Sequence, residues 1–181
     1  MLRTSRTVLA MFALVVGVSS VACGAGTQTD TPQQQSVITS PTSGLKVTSA
    51  ISAASLGESY ANVQLAFLAE ASDSSASVEV VSVTLVDATT GSVVDTLEAS
   101  GPQVWDGNGY TPWNQRVTAG GDLKASYQLT APAWSTIDQG EKGGRSSSYS
   151  RAFKLRITLR IDGVDVLMQS LSLNREAQFQ T

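Results

Sequence analysis

The stretch from Ala152 to Met168 leaves this chain little choice of local structure. Phe153, Leu155, Ile157, Leu159 and Ile161 alternate with Ala152, Lys154, Arg156, Thr158 and Arg160. A strict period of two puts one set on a buried face and the other in water, the pattern of a half-buried strand. Asp162-Gly163 follows, and this dipeptide supplies the two positive-φ residues that a type I′ hairpin turn demands. Pairing outward from the turn sets Ile161 against Val164, Leu159 against Val166 and Ile157 against Met168, all six on the buried face. The same register opposes Arg160 and Asp165 on the wet face.

Period two continues upstream. Leu45, Val47 and Ile51 alternate with polar residues, as do Val63, Leu65, Phe67 and Ala69. Val78 and Val80 are followed by Val81, Val83 and Leu85, so the parity flips between Val80 and Val81. That flip predicts a β-bulge or a strand buried on both faces. Ala88–Gly91 reads as a turn, Val93–Leu97 as a short strand, and Gln103–Trp105 as the start of another. After the turn Ala119–Asp122, Leu123, Ala125, Tyr127 and Leu129 alternate cleanly, with Tyr127 inward. No helical segment of any length is expected. About seven or eight short strands with polar turns predict an all-β, antiparallel sandwich over residues 44–181, with a small barrel as the alternative. The Gly-rich corner and inward Tyr of Val117–Leu129 are similar to those of exported bacterial immunoglobulin-like domains. The Cys…Trp…Cys framework of antibodies is absent, so that resemblance implies architecture alone.

Composition narrows the chemistry. Only 15% of residues are charged and the net charge is −3, so no basic stripe exists to engage a phosphate backbone, and nucleic acid is not expected as a partner. The chain has no histidine and one cysteine. Most general-base and triad arrangements, and the commonest zinc and copper ligand, are thereby missing. One cysteine forms no internal disulfide. No catalytic residue, metal site or cofactor is expected, and an enzyme is argued against.

The start of the chain carries a second signal. Arg3 and Arg6 precede the apolar run Val8–Val18, which is far short of the roughly 20 residues a spanning helix needs. Ser19, Ser20, Val21 and Ala22 lead to Cys23. Ser20-Val21-Ala22-Cys23 resembles the lipobox of bacterial lipoproteins, with Ser20 where leucine is commoner. The resemblance implies removal of residues 1–22 and lipidation of Cys23 with palmitate-type acyl chains. It also implies a lipid-anchored place in the cell envelope. Gly24 in place of Asp implies the outer membrane in a Gram-negative cell. Stable anchoring takes more than one acyl chain, and lipoprotein processing supplies at least two. Residues 23–43 then read as a flexible tether, small and polar with Pro32 and Pro41, reaching about 25 Å.

Several motifs invite sharper readings. Ser43-Gly-Leu-Lys46 matches the S-x-x-K nucleophile of penicillin-binding enzymes, but it starts a strand here and neither S-D-N nor K-T-G follows. Asp106-Gly-Asn-Gly-Tyr110 has the opening of a calcium loop, yet Tyr110 and Val117 stand where further ligands belong. Trp105, Tyr110, Trp113 and Trp134 fall in or beside loops. They are candidates for ligand binding, or for capping the open ends of the sandwich, which is the favoured reading. Ile137–Tyr149 reads as a polar loop, and Lys154, Arg156 and Arg160 as a solvated basic row. Three functional expectations follow. The first is a membrane-anchored structural or interaction module with a protein partner in the envelope. The second is a carbohydrate- or peptidoglycan-binding module using its tryptophans. The third, a hydrolase using Ser43, is disfavoured.

Overall fold

The computed structural model describes residues 34–139 and 147–177. Residues 1–22, expected to be a signal segment, and Cys23 lie outside the described residues. The described residues form twelve strands: β1 (Gln35–Thr39), β2 (Lys46–Leu56), β3 (Ala61–Ala69), β4 (Ser75–Asp87), β5 (Val93–Leu97), β6 (Ala99–Trp105), β7 (Tyr110–Pro112), β8 (Arg116–Thr118), β9 (Asp122–Leu129), β10 (Ala152–Ile161), β11 (Val164–Gln169) and β12 (Leu173–Asn174). They form two antiparallel sheets packed as a sandwich. One has the order β1-β2-β3-β9-β6-β7; the other runs β11-β10-β4-β5, with β12 on β10 and β8 on β4.

The alternation seen in the sequence builds the core. Val63, Leu65 and Phe67 of one sheet meet Phe153, Leu155, Ile157, Leu159 and Ile161 of the other in a single buried cluster. Fully burying a side chain of this size contributes roughly 1.5–3 kcal/mol, so these residues dominate the sandwich's stability. The β10–β11 register is the one the turn dictates: Ile161 faces Val164, Leu159 faces Val166 and Ile157 faces Met168. Asp162 and Gly163 have φ of 45° and 86°, the left-handed pair the turn needs. One detail differs, because Val164 is exposed at the hairpin tip, beyond the edge of the core.

The parity flip in β4 is a bulge. Ser82 pairs with Thr158 and Val80 with Leu159, leaving Val81 as the extra residue. Val81 is exposed, which returns Val83 and Leu85 to the buried face.

Three expectations need correction. Residues 35–39 are not tether: they form β1, an edge strand paired along β2 from Gln35↔Ala50 to Thr39↔Lys46. Their weak pattern, with Val37 exposed, hid a strand that buries little and is held mainly by backbone hydrogen bonds. Gln103–Trp105 ends a strand rather than starting one, since β6 begins at Ala99. The region after Pro132 is also not wholly loop, because a short helix, α1 (Trp134–Gln139), and a 3₁₀ turn, Ser148–Ser150, occupy its described parts. The four short strands β1, β7, β8 and β12 account for the excess over seven or eight.

Candidate functional site

The four aromatic candidates divide into two pairs. Trp113 is 8% exposed. Its ring lies 5.5 Å from Phe67 and 6.5 Å from Tyr127, and its indole N–H donates to the Arg116 carbonyl at 3.1 Å. Trp134 is 5% exposed, packs 5.5 Å from Phe153 and donates to the Gly57 carbonyl at 2.9 Å. Both rings are parts of the core with their one donor satisfied. As ligand-binding residues they are therefore a correction, and capping describes them better.

Trp105 and Tyr110 are different. They are 57% and 54% exposed, directly opposite each other across the β6–β7 pair, with ring centroids 5.3 Å apart at 71°. The turn that joins them is closed by Asp106, whose Oδ1 accepts from the backbone N–H of Asn108 at 2.9 Å and of Gly109 at 3.0 Å. These two bonds hold the Asp106 carboxyl below its ordinary range. The carboxylate closes the turn that presents the aromatic pair. Among the described residues, no three His, Cys, Asp or Glu side chains gather as a metal site.

Beside this pair lies a groove that sequence reasoning missed. On the outer face of the six-stranded sheet, one row crosses five strands in register: Ala53, Gln64, Ser126, Gln103 and Pro112. Asn62 and Gln128 form the start of a second row, paired across β3 and β9. Of these, Ala53, Asn62, Gln64, Gln103, Ser126 and Gln128, with Tyr110, line a cavity of about 400 Å3. Ser52 donates to Gln64 Oε1 at 3.0 Å and Gln64 Nε2 to Ser126 Oγ at 3.4 Å, which orients the central amide. A bulge at Gly101-Pro102 bends β6 along the groove, and Gly101 lines it with φ of 56°. The signal in the sequence was the outward half of each alternation, Asn62 and Gln64 in β3 and Ser126 and Gln128 in β9, which reads as mere wetting until the sheet aligns it.

The S-x-x-K pair is split. Ser43 Oγ donates to Asp162 Oδ2 at 3.2 Å, while Lys46 Nζ lies 2.6 Å from Glu70 Oε1. The lysine is held by another partner and is not the group that Ser43 donates to. Of the basic row, Arg160 is paired with Asp165 at 2.8 Å and Glu79 at 3.7 Å.

A second polar cluster sits at the opposite end of the sandwich. The Arg175 side chain is 7% exposed, with Glu58 at 3.3 Å and Asp138 at 3.4 Å. Its guanidinium stacks 4.9 Å from Trp134 and 4.0 Å from Tyr149 and donates to Ser148 Oγ at 2.6 Å. The Asp138 carboxyl is held low by the Ser148 backbone N–H first, then by the Ser148 hydroxyl and Arg175 against burial. This cluster fastens α1, the 3₁₀ turn and the end of β12 together, with one guanidinium shared between two carboxylates. Compared with known proteins, the chain matches no family model and no curated sequence.

Proposed function

We propose that this chain is a lipid-anchored, non-enzymatic binding module of the cell envelope. In this reading, an immunoglobulin-like sandwich presents the Trp105–Tyr110 face to a partner. The observation that carries it is the exposed aromatic pair at the rim of a polar groove. Exposed large aromatics fixed by a tight turn bind at low entropic cost, and they are typical anchors of recognition surfaces.

The strand order supports the immunoglobulin-like reading. Taking β2, β3, β9 and β6 as A, B, E and D, and β11, β10, β4 and β5 as G, F, C and C′, reproduces the two sheets of that fold. Ser20-Val21-Ala22-Cys23 supports the anchor. With Cys23 acylated, the chain enters the domain at β1, one edge of the six-stranded sheet, while the aromatic pair occupies β6 and β7 at the other edge. Five strand spacings separate these edges, roughly 24 Å, so anchor and binding face do not compete for space. The pairing of Lys46 with Glu70 rather than with Ser43 removes the motivation for the S-x-x-K reading.

The test is sedimentation of the full chain with isolated bacterial envelopes after removal of its own anchor by Cys23→Ser. A Trp105→Ala/Tyr110→Ala variant is expected to lose binding by about tenfold or more, since each aromatic anchor contributes on the order of a kcal/mol or more. Unchanged binding in that variant rejects the assigned face. Metabolic labelling with an alkynyl fatty acid checks the anchor separately, and label that persists in Cys23→Ser rejects it.

A further inference from the structure

We infer that the groove beside Tyr110 takes an uncharged oligosaccharide, an inference that rests on the reading of this face as the binding surface. The lining chemistry selects the ligand class. No Asp, Glu, Lys or Arg lines the groove. Its polar side chains include the carboxamides of Asn62, Gln64, Gln103 and Gln128 and the Ser126 hydroxyl, and Tyr110 and Tyr127 also line it. Each carboxamide offers two donors and an acceptor, and a serine hydroxyl offers both. That set matches a ligand whose hydroxyls donate and accept with no net charge.

The same lining argues against other ligands. A nucleic-acid strand or an anionic headgroup needs Lys or Arg to meet its phosphates. An extended peptide that adds to a sheet reads backbone at a free edge, not a row of amides on the sheet face. A protein hot spot wants a pocket that desolvates apolar anchors, whereas here four carboxamides and a serine hydroxyl share the lining with Ala53, Val63 and the tyrosines.

Geometry fits the class as well. The lining row from Ala53 to Gln103 crosses four strands, roughly 14 Å at the usual spacing, which gives a linear ligand a track rather than a single pocket. Tyr110 lines that track and Trp105 extends its aromatic surface outward. The apolar C–H face of a sugar ring stacks on such rings, while its hydroxyls turn to the amides.

The test uses the full chain carrying Cys23→Ser, with cellohexaose, chitohexaose and maltohexaose as probes and heparin as the polyanionic control. Binding is followed by calorimetry and tryptophan emission. At least one neutral hexaose is expected to bind with a Kd between about 1 μM and 1 mM and to shift the emission of Trp105. Tyr110→Ala, and separately Gln64→Ala/Gln103→Ala, are expected to weaken it by about tenfold with Tm unchanged. Failure of all three neutral probes overturns the inference, as does preference for heparin, or undiminished affinity in both variants. The two readings separate cleanly. If envelope binding depends on Trp105 and Tyr110 but resists excess neutral hexaose, the glycan assignment falls and the binding face stands. If envelope binding ignores both residues, the face itself falls.

Discussion

Ser40 Oγ donates a 2.6 Å hydrogen bond to Oδ2 of Asp162, across 122 residues of chain. The bond joins the β1–β2 loop of one sheet to the β10–β11 hairpin tip of the other. Ser43 Oγ shares that oxygen at 3.2 Å. Asp162 Oδ1 takes the backbone N–H and hydroxyl of Ser77 at 2.7 and 2.9 Å. One carboxylate thus closes an end of the sandwich. Burial alone would raise its pKa, but the bonds from Ser40, Ser77 and Ser43 outweigh burial and lower it.

Asp162→Asn keeps a residue tolerant of positive φ but halves the acceptor capacity. It should cost about 1–2 kcal/mol in urea unfolding. Asp162→Ala adds a turn penalty and should cost more. Equal stability of both variants and the parent would show that the latch holds nothing.

Acid should expose a second carboxylate. Asp87 accepts from Arg151 at 2.8 Å and from the backbone N–H groups of Thr89 and Thr90. Burial raises its pKa, yet Arg151 and these N–H groups prevail and set it at about 2, against 3.8 for the free side chain. The folded state therefore binds this proton less readily than the unfolded chain. The resulting stability is full above pH 3.8 and disappears as pH falls towards 2. Its size is on the order of 2 kcal/mol. Asp87→Asn should flatten that part of the stability–pH curve, which denaturant titration between pH 2 and 5 will read.

The three tryptophans should separate by accessibility. Acrylamide should quench Trp105 readily, and Trp113 and Trp134 hardly at all. Trp113→Ala should cost about 3–5 kcal/mol through the cavity left against Phe67 and Tyr127, whereas Trp105→Ala should stay within about 0.5 kcal/mol. Single-tryptophan variants and thermal melts distinguish the two outcomes.

At the far end, Arg175→Lys retains a positive charge but loses the flat surface between Trp134 and Tyr149 and the forked donors toward Glu58 and Asp138. A loss of about 1 kcal/mol is expected. Arg175→Ala should lose more, since Glu58 and Asp138 then face each other without a cation. Chemical denaturation of the two variants in parallel checks the order.

Much of the fold was legible in one dimension. The hairpin register follows from Asp162-Gly163 and the alternation beside it, and the bulge at Val81 from a break in parity. Both are local: a turn admits few backbone conformations, and a strand's side chains must point alternately up and down.

Tertiary structure decided the rest, because it depends on partners distant in sequence. Gln35–Thr39 became a strand only because β2 offered an unpaired edge. Trp113 and Trp134 went inside because Phe67, Tyr127 and Phe153 were there to receive them, while Trp105, no less apolar, stayed out on the β6–β7 hairpin. The amides of Gln64, Gln103 and Gln128 become a groove only when three strands from separate parts of the chain are hydrogen-bonded side by side. A one-dimensional pattern tells which face of a strand is wet; which wet faces lie together is set by sheet order, and sheet order is a property of the whole core.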